Sequence, residues 1–353
     1  MSDPRIEEYA LLLVDRSIGA QAGWQVLVSA TTEARPLAQA LSRLLAERGA
    51  YALTRLHFGA PFPVDLDWIE AAPEEIARTL PPLEQELVDR VDASIWVHAP
   101  EPGRLPATPE ARHAMRAHGL AYRVRGRAGT MPHVRCDFPC AAFAEHAGLS
   151  LPDYEDVFYD ACLRDWDAER RRMEPVLERF DAAAEVRLLG PGTDLVFSLE
   201  GRHGAIDDGH LNVPGGEVFY CPVEESLEGE VTFGDVSELV QDVRLEFRGG
   251  EVVESSAGLG EELVRQALVT DDGARRMGEF GIGCNDGISR PLRNVLFDEK
   301  MAGTIHLALG DGFPQLGGRN RSDLHWDLVL DMRRGGEIRC DGECVQRDGE
   351  WLL

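Results

Sequence analysis

Residues 324–331, Leu-His-Trp-Asp-Leu-Val-Leu-Asp, read as a β-strand, in which successive side chains face opposite sides. On a strand, Leu324, Trp326, Leu328 and Leu330 face one side, while His325 and Asp327 share the other, able to grip one ion. An imidazole and a carboxylate so placed suit zinc, manganese, cobalt or iron(II). His306, in Thr-Ile-His-Leu-Ala-Leu-Gly, puts a polar ring on one face of an apolar strand between Ile305 and Leu307. Glu217 follows two glycines in Val-Pro-Gly-Gly-Glu-Val-Phe, where the backbone can be approached closely just before a strand. Glu279 is a lone acid entering the apolar, glycine-rich stretch Arg-Arg-Met-Gly-Glu-Phe-Gly-Ile-Gly. A buried carboxylate is costly unless it is paired or metal-bound. Together these residues point to a divalent-metal site in the C-terminal half.

The elements that must position them fall into two textures. Trp24–Ser29 reads as a buried strand, Glu33–Arg48 as a helix with Leu37, Leu41, Leu44 and Leu45 at helical spacing, and Tyr51–His57 as a second strand. That βαβ start implies a parallel sheet with right-handed crossovers, to which Ala93–His98 adds a strand beyond acidic helices between Pro73 and Val91. The charged stretch from Pro152 to about Ala184 is helical, with Pro175 expected to kink or divide it. From Glu185 onward strands dominate. Val243, Leu245 and Phe247 alternate with charged residues before Gly249-Gly250 turns into Glu251–Ser255, a hairpin with one wet face. Thr304–Leu309 and Leu324–Asp331 are further strands. The expected architecture is an α/β N-terminal layered domain with parallel strands, residues 1–184, followed by an α+β C-terminal metal-binding domain, residues 185–353.

The chain of 353 residues exceeds one typical domain, and its formal charge of −26 repels phosphate backbones and anionic lipid, which argues against nucleic-acid and membrane partners. No stretch approaches the roughly 20 apolar residues of a membrane span. The start, Met-Ser-Asp-Pro-Arg-Ile-Glu-Glu, has no basic leader, so a cytoplasmic location is expected. Seven cysteines spread over a long chain suit reduced thiols. No Gly-x-Gly-x-x-Gly follows the strands of the first half, which disfavours a dinucleotide site, and no Gly-x-Ser-x-Gly elbow supports a nucleophilic hydrolase.

Several long, ordered segments carry a resemblance. They are Gly190–Arg202 (GPGTDLVFSLEGR), Asn212–Phe219 (NVPGGEVF), Gly273–Gly283 (GARRMGEFGIG), Leu296–Gly310 (LFDEKMAGTIHLALG) and the His325-Trp-Asp327 strand. From about Glu185 to the C-terminus the chain resembles the thermophilic metalloaminopeptidases of the aminopeptidase T and aminopeptidase S type; the N-terminal half is similar more loosely. The resemblance implies a homodimer and two divalent ions, zinc, cobalt or manganese, held by Glu217, Glu279, His306, His325 and Asp327. It implies release of N-terminal residues from short peptides by a water activated between the ions, with Glu217 or Glu279 bridging them or taking the water's proton.

One position departs from the family pattern. A tyrosine usually stands seven residues after the first metal histidine, and here that residue is Phe313, which has no oxygen to ligate or hydrogen-bond. Either a ligand is lost, a neighbour such as Asp311 substitutes, or the activity has shifted. The departure keeps open a ring-opening dioxygenase acting on a hydroxypyridine-like aromatic, with one iron(II) on His306, His325 and Asp327. A degenerate peptidase kept for binding is a third reading. Glu217 and Glu279 favour the two-metal peptidase, because a mononuclear iron site does not need them.

Overall fold

A computed structural model describes residues 3–58, 65–77, 79, 81–101, 131–237 and 239–353. The chain divides into two compact units, Met1–Arg164 with Gly209–Gly215 and Asp165–Asp208 with Gly216–Leu353.

In the first unit, β1 (Gln25–Thr31), β2 (Tyr51–His57), β3 (Ala93–His98) and β4 (His133–Asp137) form a parallel sheet in the order β2-β1-β3-β4. All of β1 after Gln25 is buried, as a central parallel strand covered on both faces requires. The helix Arg35–Glu47 makes the crossover from β1 to β2, with a proline in its first turn and Leu37, Leu41, Leu44 and Leu45 buried. The expected strands and helix are therefore present, with ends shifted by a residue or two.

The helical stretch between Pro152 and Ala184 is two helices, Leu151–Cys162 and Trp166–Asp181. The division lies where Asp165 caps the second helix by accepting from the Ala168 amide, and Pro175 sits inside that helix without dividing it. Met173, Val176 and Phe180 of this helix pack into the core of the second unit, so the break at residue 185 expected from sequence falls inside that unit.

The second unit continues with β5 (Glu185–Gly190), β6 (Thr193–Ser198) and β7 (Ala205–Asp207). The chain then returns once to the first unit, where β8 (Asn212–Val213) pairs parallel with β4. Thereafter come β9 (Glu217–Tyr220), β10 (Glu228–Ser237), β11 (Val240–Arg248), β12 (Glu251–Ser256), β13 (Met277–Gly283), β14 (Thr304–Gly310), β15 (His325–Asp331), β16 (Glu337–Cys340), β17 (Glu343–Arg347) and β18 (Glu350–Trp351). They make an antiparallel eight-stranded sheet, β12-β11-β10-β6-β5-β16-β17-β18, and an antiparallel five-stranded sheet, β15-β14-β13-β9-β7.

Residues of both sheets meet in one hydrophobic cluster, Val186, Leu195, Phe197 and Phe247 against Val218, Phe280, Ile305 and Leu328. The rings of Phe197 and Phe280 stand 5.0 Å apart, edge to face. One face of the five-stranded sheet is thereby committed to the core, which leaves its other face for polar side chains. None of the seven cysteines is in a disulfide.

Candidate metal centre

Strand alternation and register bring the five sequence-derived residues to one face of the smaller sheet. His325 lies opposite Gly310 and Asp327 opposite Ala308 across the β14–β15 pair, so small residues stand beside both. His306 lies opposite Gly281 of β13, and Glu217 of β9 opposite Gly283. A side chain at Gly281 would collide with the His306 ring, its Cβ standing 1.9 Å from Cε1. Glycine there gives the imidazole room to lie across the strand.

Glu279 reaches this face through an irregularity. The β13–β14 register shifts between Met277 and Glu279, so Met277 enters the hydrophobic core while Glu279, two residues on, turns to the polar face. A regular strand would have put both on the same side; the bulge re-aims the carboxylate.

The side chains converge closely. Glu279 Oε1 lies 3.5 Å from His306 Nε2, and Glu279 Oε2 lies 3.2 Å from His325 Nε2. Glu217 Oε2 is 3.5 Å from His306 Nε2, and Asp327 Oδ1 is 3.4 Å from His325 Nε2. Two donor groups result, Glu217–Glu279–His306 and Glu279–His325–Asp327, each with ligand atoms within 4.8 Å of one another. Both rings are held from behind: His306 Nδ1 lies 3.3 Å from the Glu299 carbonyl and His325 Nδ1 lies 3.0 Å from the Asp311 carbonyl. A carbonyl can only accept, so each Nδ1 donates and each Nε2 is left facing the carboxylates, the arrangement that orients a metal-binding imidazole.

Electrostatics follow from burial. Burial pushes the Glu217 carboxyl up to about 8, only partly opposed by Lys300 and His306. Burial also works to raise Glu279, but His306 and His325 on its two oxygens hold it well below the usual carboxylate range. For His306, burial disfavours the charged ring, yet Glu279, Glu217 and Glu299 together raise it to about 10. Glu217 Oε2 is buried and has no hydrogen-bond partner among the described residues. An acceptor oxygen left bare beside an imidazole and a second carboxylate fits a divalent cation of borderline or hard character.

The sequence reading missed two neighbours. Glu299, buried, forms a third donor group with His306 and Asp327. Lys300, wholly buried, contacts the carboxylates of Glu299 and Glu217, at 3.2 Å from Glu217 Oε1. Both lie in Leu296–Gly310, so the signal was the charged run Asp298-Glu299-Lys300 inside a mostly apolar segment. Phe313, by contrast, is buried with its ring 5.7 Å from that of His325 and 5.4 Å from that of Phe219, an apolar wall beside the histidine. Asp311 serves His325 through its backbone carbonyl, and its side chain belongs to none of the donor groups found among the described residues.

The family model for the thermophilic metalloproteases (M29) matches residues 2–351. The chain belongs to that family. Aminopeptidase 2 of Geobacillus stearothermophilus is 26% identical over 425 residues, covering 99% of this chain and 98% of its own length. Aminopeptidase T of Thermus thermophilus is 27% identical over 411 residues, with 99% and 98% covered. A solved structure, wild-type AmpT from Thermus thermophilus, superposes with a TM-score of 0.82 at 24% identity over 99% of both chains, which shows the fold. As an M29 metalloprotease the chain is a metal-dependent hydrolase, and its membership implies divalent ions. The ring-opening dioxygenase reading gains no support from these relatives.

Proposed function

We propose that this metalloaminopeptidase releases N-terminal residues from short peptides at a centre of two divalent ions. The observation that carries the reading is Glu279, whose two oxygens face two different histidines, each with its own further carboxylate. Glu217, Glu279 and His306 would hold one ion, and Glu279, His325 and Asp327 the other, with Glu279 shared. Of the two glutamates that sequence left as candidate bridges, Glu279 would be the shared one and Glu217 would serve one ion alone. Divalent ions so placed supply an acidified water and a polarised scissile carbonyl.

Charge supports the pair of ions. When ionised, Glu217, Glu279, Glu299, Asp327 and the buried Asp207 bring five negative charges, and Lys300, on which Glu217, Glu299 and Asp207 act, brings one positive charge. Four negative charges remain, the number that two divalent cations cancel. The same carboxylates suit recognition of a substrate's cationic free amine, which distinguishes an aminopeptidase from an endopeptidase.

The test is metal content and turnover on the same preparation. Full-length protein reconstituted with zinc, cobalt or manganese is expected to carry two equivalents and to release p-nitroaniline from aminoacyl-p-nitroanilides but not from their N-acetylated forms. One equivalent at full activity would contradict the two-ion reading, and cleavage of N-acetylated substrates would contradict the aminopeptidase.

A further inference from the structure

Lys300 would hold no ion, yet it is wholly buried at the centre. An ammonium without water is costly unless carboxylates surround it. Here its Nζ lies 3.2 Å from Glu217 Oε1 and contacts Glu299, and the charge of Asp207 also acts on it. Its backbone is fixed at both ends: the Lys300 amide donates to the Phe297 carbonyl at 3.0 Å, and its carbonyl accepts from the Asn285 amide at 2.8 Å. The residue before it supplies the carbonyl behind the His306 ring. One two-residue step thus holds His306 from behind and Glu217 by a single oxygen.

Lys300 leaves Glu217 with only one oxygen to offer. Oε1 is taken by the ammonium, and Oε2, buried and without a hydrogen bond among the described residues, is turned to His306 at 3.5 Å. We propose that Lys300 is a positioning residue: its ammonium pins Glu217 through Oε1 so that Oε2 alone is presented to the ion beside His306. The proposal rests on the two-ion reading above.

Two effects of Lys300 have opposite signs, which makes the proposal testable. A fixed cation repels a divalent ion, so if charge alone mattered, removing it would tighten binding. If orientation matters, removing it loosens binding, because groups that hold metal ligands in place typically contribute about 10–100-fold in affinity.

Metal-stripped full-length protein is titrated with cobalt, read by its visible absorption and by competition with a chelator, for wild type, Lys300→Met and Lys300→Gln. In wild type two equivalents bind. In Lys300→Met the ion at Glu279, His325 and Asp327 is expected to keep its wild-type affinity and spectrum. The ion at Glu217, Glu279 and His306 is expected to weaken by about 10–100-fold, with kcat falling at limiting cobalt, recovering at excess cobalt, and KM unchanged. Lys300→Gln, which still donates a hydrogen bond to Glu217, should fall between the two and reads the same quantities if the methionine variant does not fold. Unchanged affinity for both ions, or tighter binding of the second, overturns the proposal. A wild-type protein that takes one equivalent instead overturns the two-ion reading itself.

Discussion

Glu217 and His306 sit side by side in a buried site, and each binds a proton more tightly than it would in water. Before it can ligate, His306 must be neutral and Glu217 ionised. Both folded-state pKa values lie above their ordinary ones, about 8 against 4.5 for Glu217 and about 10 against 6.5 for His306. A raised pKa contributes stability that is complete below the ordinary value and disappears as the pH climbs through the folded one. The metal-free protein is therefore expected to melt at progressively lower temperature as the pH rises from 6.5 to 10, with the metal-loaded protein falling less. Thermal melts of both forms across that range check this, and a metal-free curve that is flat or rises would contradict it. At this scale the sequence was informative about the candidate ligands and silent about the residues beside them. His325 and Asp327 stood out because a strand's alternation is visible in the residues themselves. Glu299 and Lys300 did not, because adjacent opposite charges resemble a solvated pair until the fold buries them.

Strands and their irregularities decide where the ligands point. The bulge between Met277 and Glu279 sends one residue into the core and the other to the site, and Gly281 makes room for the His306 ring. Gly281→Ala should force that ring aside, with destabilisation of about 1–3 kcal/mol as for other overpacked interiors. Metal analysis is expected to show loss of the ion beside His306 and retention of the ion beside His325; full metal content in a folded variant would contradict the placement. In the segment between β14 and β15 the exposed Arg319 engages Glu224, whose carboxylate also forms a buried pair with the Arg202 guanidinium at 2.6 Å. The same segment carries Phe313. Strands β14 and β15 were readable because bulky apolar residues recur at every second position along them. The bulge was not, because one extra residue leaves no period to detect. Nor was the helix break at Asp165, where a capping side chain proved decisive and Pro175 was accommodated.

At the scale of the whole molecule, the layered α/β first half and the strand-rich second half were both legible from composition and period. The return of β8 to the first sheet was not, because two residues of pairing carry no sequence signal of their own. The large negative charge is a property of the whole chain, but the carboxylates proposed to hold metal are a handful gathered on one face of one sheet. Among the described residues, no helix is long and apolar enough to cross a membrane. The central claim is that Glu279 is shared by two ions, and anomalous diffraction at the zinc edge from metal-loaded crystals tests it most directly. The expected result is two peaks about 3.5–4 Å apart, one beside His306 and Glu217, the other beside His325 and Asp327, with the Glu279 carboxylate between them. A single peak ligated by His306, His325 and Asp327, with Glu279 turned away, would contradict it.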